Sequence, residues 1–193
     1  MLRFLLITSI FVLSLFPSSQ LVAQDKPAPP EDTENAQQEA CRKIECAFDV
    51  RIVLKQRDGS IFDKSYRALP LVQPIGVSVY AGQSVLFEAD IQDDQLSNFK
   101  LVKSIKHPEK TISATLKQNS DGYMTLTLKN PFQRPMKVAM GVMPLELGRL
   151  LKTSSCPVGA GLISFEGWPY PIFQVWLGNI RLLKDSSLMN CSE

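Results

Sequence analysis

The chain has 193 residues, of which 45% are hydrophobic and 21% are charged, and its formal net charge is +2. This length and apolar fraction predict a folded globular protein and exclude a wholly disordered one. The charge excludes a typical nucleic-acid-binding protein, which would be far more basic. We therefore expect a folded domain and no nucleic-acid partner.

Residues 1–23 have the pattern of a secretory signal peptide. Arg3 precedes an apolar run that ends at Phe16, and small residues follow up to Ala23. The run is shorter than the roughly 20 residues that cross a bilayer. We expect cleavage after Ala23 and export of a mature chain without a membrane span. The expected destination is the periplasm of a bacterium, or otherwise the medium.

Residues 24–40 predict an acidic, Pro-rich, disordered linker. Five acidic residues stand against one lysine there, which gives a net charge of −4. Such a composition is typical of extended segments without a core. We expect a short helix from about Glu34 that ends near Cys41. Residues 41–193 form the single predicted domain, with nineteen basic and fourteen acidic residues and a net charge of +5.

Four cysteines lie in this domain, at positions 41, 46, 156 and 191. An even number of cysteines in an exported chain predicts disulfides. Three pairings are possible, and we expect Cys41–Cys46 and Cys156–Cys191 because each partner is near in sequence. No Cys-x-x-Cys motif is present, so we expect neither a zinc site nor a redox-active dithiol.

Alternation of apolar and polar residues dominates the chain from residue 47 onward, which predicts β-strands. The predicted strands are Phe48–Leu54, Ile61–Leu71, Val77–Tyr80, Val85–Ile91, Ile112–Leu116, Met124–Leu128, Met136–Val142, Val158–Phe165 and Ile172–Leu182. Asn119–Gly122 predicts a tight turn between two of them. Residues 97–106 stay open between strand and helix, because lysines recur there at helical spacing while the neighbouring segments are strands.

About eight to ten short strands separated by turn residues predict an all-β fold, an antiparallel β-sandwich. One polar and one apolar face per strand is what a two-layer sandwich requires. We expect an immunoglobulin-like architecture in preference to a barrel. The disordered N-terminal linker precedes it.

The sequence offers little for catalysis. His107 is the one histidine, and it precedes Pro108 in a charged segment, where a solvated role is expected. Asp90, Asp93 and Asp94 lack the spacing of a calcium loop, so we expect a solvated cluster at a strand end. We expect a non-enzymatic protein with no catalytic residue, metal or cofactor.

Two groups of residues are candidate binding surfaces. Aromatic residues beside two prolines form a corner, and lysines recur along residues 97–106. The candidate binding residues are Trp168, Tyr170, Trp176, Lys100, Lys103 and Lys106. The alternatives are that the aromatic residues are core and that the lysines protect an edge strand from pairing.

The sequence predicts an exported, non-catalytic binding protein whose partner is another envelope or extracellular protein. One alternative is a carbohydrate-binding or carbohydrate-active module. It would use carboxylates such as Asp90 or Glu166 beside a sugar platform of Trp168 and Tyr170, with Glu166 about 5–9.5 Å from a second carboxylate. Another alternative is a periplasmic assembly chaperone or inhibitor, which an open edge strand with apolar alternation would favour.

Overall fold

The structure, a computed structural model, describes residues 35, 38–184 and 191. The chain divides into two compact units, residues 1–30 and 31–193, and every described residue belongs to the second. The predicted signal peptide and most of the predicted linker therefore lie outside the described residues. In the part that is described, no helix is long and apolar enough to cross a membrane.

The described chain is almost entirely β-structure. Residues 38–40 are helical and the helix ends before Cys41, as predicted. Twelve strands follow: β1 (Cys46–Lys55), β2 (Ile61–Pro70), β3 (Val72–Gln73), β4 (Gly76–Tyr80), β5 (Ser84–Gln92), β6 (Gln95–Leu101), β7 (Ile112–Gln118), β8 (Met124–Lys129), β9 (Met136–Pro144), β10 (Leu151–Thr153), β11 (Ile163–Trp168) and β12 (Ile172–Leu182). The prediction missed β3 and β10 because two and three residues are too few to show alternation.

Ten of these strands share one hydrogen-bonded order, β10-β9-β12-β6-β5-β7-β8-β11, with β4 and β3 branching from β12. β12 meets β6 only where Arg181 lies opposite Gln95. This bridge separates a first layer, β3-β4-β12-β9-β10, from a second layer, β6-β5-β7-β8-β11. β4 of the first layer contacts β5, β6 and β7 of the second. All pairings are antiparallel, so the predicted all-β antiparallel sandwich is confirmed.

The two layers share one buried core. Val77 and Val175 of the first layer and Phe87 and Leu116 of the second have no exposed surface and belong to the same apolar cluster. Burying a side chain of this size contributes about 1.5–3 kcal/mol. The alternation read from the sequence therefore identifies most of the inward-facing positions.

The β1–β2 hairpin forms a separate two-stranded sheet. Its buried residues Val50, Ile52 and Leu54 join the core of the two layers. At the end of β1, the Gln118 side chain accepts a hydrogen bond from the Lys55 backbone N–H and donates one to the Lys55 carbonyl. These bonds attach the hairpin to the end of β7.

One predicted core residue of this hairpin faces solvent. Phe48 is 64% exposed, although alternation placed it on the same face as Val50. Asp49, between them, has a φ of +51°, in the left-handed region. An extended strand does not contain this backbone conformation, so the alternation of faces is interrupted there.

The predicted β7–β8 hairpin is confirmed. The Asn119 side-chain oxygen accepts hydrogen bonds from the backbone N–H groups of Asp121 and Tyr123, at 3.0 and 2.9 Å. Gly122 has a φ of +88°, which a residue with a side chain rarely adopts. The Asn and Gly of the turn sequence therefore each have a specific role.

Two other segments refine the predictions. The open segment 97–106 is a strand as far as Leu101 and an exposed loop beyond it. The predicted strand Val158–Phe165 is displaced, since the observed strand is β11. Val158 makes only an isolated bridge to Met136, and Gly161, with a φ of +67°, turns the chain before β11 begins.

Both predicted disulfides are present. Cys41 is bonded to Cys46 and Cys156 to Cys191. The second bridge spans a sequence separation of 35 residues that includes β11 and β12. It therefore restricts the unfolded chain around the last two strands of the sandwich.

Candidate binding surfaces

Trp168 lies in the core and is not an exposed sugar platform. It is the last residue of β11 and only 7% exposed. Its strand partner is Met124, which has no exposed surface. Because alternate residues of β11 point to opposite faces, Trp168 points inward. The prediction that Trp168 offers an aromatic binding surface is therefore wrong.

Tyr170 and Phe173 have partners within the fold. Tyr170 is half-buried, and the Arg57 guanidinium lies 5.2 Å from its ring centroid. The Phe173 ring packs edge-on against Tyr66 and Tyr80, with centroids 5.3 and 5.5 Å apart. Such contacts contribute about 0.5–1.5 kcal/mol each. Tyr170 of the predicted corner and the neighbouring Phe173 therefore help to join the β1–β2 hairpin to the sandwich.

Trp176 is half-buried and lines a groove of about 450 Å³ with Leu150 and Lys152. Tyr170 lines a different groove, with Arg57 and Leu147. The three aromatic residues predicted to form one surface therefore occupy three places, which are the core and two separate grooves.

The candidate lysines do not form one surface. Lys100 lies on β6 opposite Glu88, while Lys103 and Lys106 lie in the exposed loop that follows. The helical face that would align them does not exist, because β6 is a strand. Lys110 lies 2.9 Å from Glu88. The hydrogen bond from Lys110, followed by that from Thr111, lowers the pKa of Glu88 below its ordinary value.

The structure separates the carboxylates of the carbohydrate-active alternative. Asp90 lies on β5 and Glu166 on β11, with β7 and β8 between them in the strand order. Three strand spacings amount to roughly 14 Å, which exceeds the separation of a glycosidase pair. Asp90 instead accepts a hydrogen bond from Asn98 at 3.0 Å. Among the described residues, no three His, Cys, Asp or Glu side chains cluster as metal ligands.

The backbone of β11 has an open edge. Among the described strands, only β8 pairs with β11. The Asn130 N–H donates to the Leu162 carbonyl at 2.9 Å, so Leu162 faces β8. Hydrogen-bonding direction alternates along an antiparallel strand. Ile163, Phe165 and Gly167 therefore direct their N–H and C=O groups away from β8, where no described strand receives them.

The same edge carries exposed apolar side chains. Leu162, Ile163, Phe165 and Tyr123 are 61%, 50%, 70% and 42% exposed, and we call these four residues the edge cluster. A Cβ on Gly167 would overlap the Tyr123 hydroxyl, so the Tyr123 ring covers that glycine. β11 contains neither lysine nor proline, the residues that usually prevent unwanted pairing at an edge.

β10, one of the two outermost strands of the first layer, is different. It has three residues, pairs with β9, and carries the exposed Lys152 at its centre. After it, the Ser155 hydroxyl donates to the Val138 carbonyl and the Lys137 ammonium donates to the Ser155 carbonyl. A short strand that carries a lysine, followed by a segment held by hydrogen bonds, is a poor template for pairing with another strand.

No protein-family model matches the chain, and its comparison with curated proteins and with solved structures gave no match. The function proposed below therefore rests on this chain's own geometry.

Sequence reasoning did not single out Ile163 and Phe165. Alternation indicated a strand there, but it could not show which face lies in solvent. One observation was available in the sequence. Ile163 and Phe165 occupy odd positions and Trp168 an even one, so a single strand cannot bury all three on one face.

Proposed function

We propose that this protein is an exported, non-catalytic binding protein of the cell envelope, which captures an extended segment of another envelope or extracellular protein on β11. The signal-peptide pattern of residues 1–23 and the two disulfides support export to the periplasm or the medium. The two-layer sandwich supports an immunoglobulin-like architecture, which belongs to this proposal.

The open edge of β11 is the observation that carries the proposal. The outward backbone groups of Ile163, Phe165 and Gly167 have no partner among the described residues, and the side chains of Ile163 and Phe165 are exposed on one face. In strand addition, main-chain hydrogen bonds provide affinity and alternate side chains provide specificity. β11 supplies both elements over six residues.

The neighbouring strand indicates the chemistry of the partner. On β8, Thr127 lies opposite Phe165 and Lys129 lies opposite Ile163. An added strand would lie on the other side of β11 from β8, with its side chains beside Ile163 and Phe165, where cross-strand pairs contribute about 0.2–1 kcal/mol each. We expect a segment with apolar residues at alternate positions, and an acidic side chain that reaches across β11 towards Lys129, which lies two strand spacings, roughly 10 Å, away.

An assembly chaperone and an inhibitor would use the same edge and differ only in the partner. A chaperone would cover a strand of an unassembled subunit, whereas an inhibitor would occupy a strand of a folded target. Both are forms of this proposal, and the identity of the captured segment distinguishes them.

The test is selection of peptides from a random library on the folded protein, followed by affinity measurements on variants. We expect Phe165→Lys and Ile163→Lys to weaken binding at least about tenfold, since each removes an apolar contact at the centre of the site. Ile61→Lys is the matched control, because Ile61 is 58% exposed on β2. It should leave affinity unchanged.

N-methylation of alternate peptide nitrogens gives a second test of the same proposal. A methyl group on a nitrogen that faces β11 removes one hydrogen bond of the added strand and should abolish binding, whereas methylation of the intervening nitrogens should be tolerated. The proposal is overturned if the selected peptides bind both β11 variants normally or tolerate methylation at every position.

A further inference from the structure

The Trp176 indole lies on a floor of glycine backbone. Gly141 is directly opposite Trp176 on β9, Gly178 follows two residues later on β12, and Gly76 on β4 lies opposite Gly178. A Cβ on Gly178 would overlap the six-membered ring, and one on Gly76 would lie 2.9 Å from the indole Nε1. Three neighbouring strands therefore lack side chains where the ring lies against the sheet.

The part of the Trp176 ring that lines the groove is its π face. The indole Nε1 is buried and has no hydrogen-bond partner among the described residues. A tryptophan N–H usually finds a partner when it is buried. Since this nitrogen is buried beside Gly76, the groove beside Trp176 meets an aromatic face and not an exposed hydrogen-bond donor.

Polar side chains surround this face. Gln73, Asn179 and Lys152 line the same groove of about 450 Å³ as Trp176. The Gln73 side-chain nitrogen donates to Ser78 at 3.1 Å, and its oxygen accepts no bond within the described chain. Asn179 and Lys152 are exposed, and their side chains make no hydrogen bond or ion pair within the described chain. Amide and ammonium groups are thus free to bind a ligand above an apolar floor.

We infer that this groove is a glycan-binding site in which a pyranose ring stacks on Trp176. The C–H face of a sugar ring is apolar and covers the indole, while its hydroxyl groups bond with Gln73, Asn179 and Lys152. A purely apolar occupant would cover these polar groups without partners, which is costly. The volume lies within the range of small-molecule pockets. The site is on the first layer and is independent of the β11 edge.

The test uses tryptophan fluorescence of the Trp168→Phe protein, in which Trp176 is the one remaining tryptophan. The two probes are a neutral N-acetylglucosamine hexamer and an acidic galacturonate hexamer. We expect a saturable change in Trp176 emission with at least one of them. Trp176→Phe, whose affinity is measured by isothermal titration calorimetry against the wild type, should bind about tenfold or more weakly, because the smaller ring stacks less.

Lys152 distinguishes the two probes. If the acidic hexamer binds, Lys152→Met should weaken it about tenfold, as expected for loss of a charge-assisted hydrogen bond. The Lys103→Met control removes an exposed lysine outside the groove and should have no effect. In the wild-type protein, the indole N–H resonance of Trp176 should shift on titration while that of Trp168 stays fixed, which provides the test without the Trp168 substitution.

The inference is overturned if neither hexamer changes Trp176 emission or its N–H resonance. It is also overturned if a hexamer binds Trp176→Phe with full affinity, since the sugar would then lie elsewhere. Repeating the titration with Phe165→Lys separates the two sites, and glycan affinity should be the same with and without that change.

Discussion

β10 and β11, the two ends of the strand order, differ in how their outer backbone edges are protected against pairing with another chain. Both are outermost strands with backbone groups that could pair with another chain. β10 is three residues long and has a lysine at its centre, whereas β11 is six residues long and exposes Ile163 and Phe165. A short strand with a central lysine protects the edge of β10, whereas no described segment covers the edge of β11. The open edge of β11, which contrasts with the protected edge of β10, is the property from which we infer binding.

The two edges also differ in how they are anchored. β11 ends in the buried Trp168, while β10 has half-buried Leu151 and Thr153 on either side of Lys152. A firmly anchored strand presents its outer edge in a fixed geometry, which reduces the entropy cost of adding a partner strand.

Trp168→Ala should lower the free energy of unfolding by about 3–5 kcal/mol, because it empties a large buried site at the end of β11. Leu151→Ala on β10 should cost about 1 kcal/mol, since Leu151 is only half-buried. Urea denaturation of both variants measures the difference. Equal losses would mean that the two edges are anchored alike.

Removing the charge from the β10 edge and adding a charge to the β11 edge should change self-association of the protein in opposite directions. Lys152→Ile removes the protecting charge from β10 and should strengthen association of the protein with itself by about tenfold. Phe165→Lys adds a charge to β11 and should weaken any association by a similar factor. Sedimentation velocity over a range of concentrations measures both. A stronger association of Phe165→Lys than of the wild type would contradict the contrast.

Lowering the pH should have a smaller effect on the free energy of unfolding. This effect acts through the second layer, which contains β11. Lys110 and Thr111 lower the folded-state pKa of Glu88 on β5. The stability that this pairing contributes is present above the unfolded pKa of a glutamate, about 4.3, and is lost as the pH falls through the lowered folded value. Wild-type stability should therefore fall more steeply below about pH 4.3 than that of Glu88→Gln, measured by urea denaturation at each pH. Identical pH profiles would show that the pair contributes nothing.

Local sequence patterns predicted those parts of the fold that depend on residues close to one another in the sequence. Alternation identified most strands, the Asn119–Gly122 turn predicted the β7–β8 hairpin, and proximity in sequence predicted both disulfides. The exception at Phe48 is also local, because it follows from the left-handed conformation of Asp49, which alternation does not reveal.

The candidate sites were harder to predict because they depend on which strands become neighbours. Trp168 and Trp176 were both candidate residues of one aromatic binding surface. Their different environments arise from the pairing of β11 with β8 and of β12 with β4 and β9. The glycine floor under Trp176 combines three strands that lie far apart in sequence. The open edge of β11 likewise depends on the order of all the strands, which no local pattern contains.

Residue-resolved amide hydrogen exchange of the protein, with and without a selected peptide, reports directly on strand addition at β11. Strand addition predicts that the amides of Ile163, Phe165 and Gly167, which face away from β8, exchange more slowly when the peptide is bound. The Lys152 amide of β10 should keep its rate. Slower exchange at β10 with unchanged rates at the three β11 amides would contradict the account.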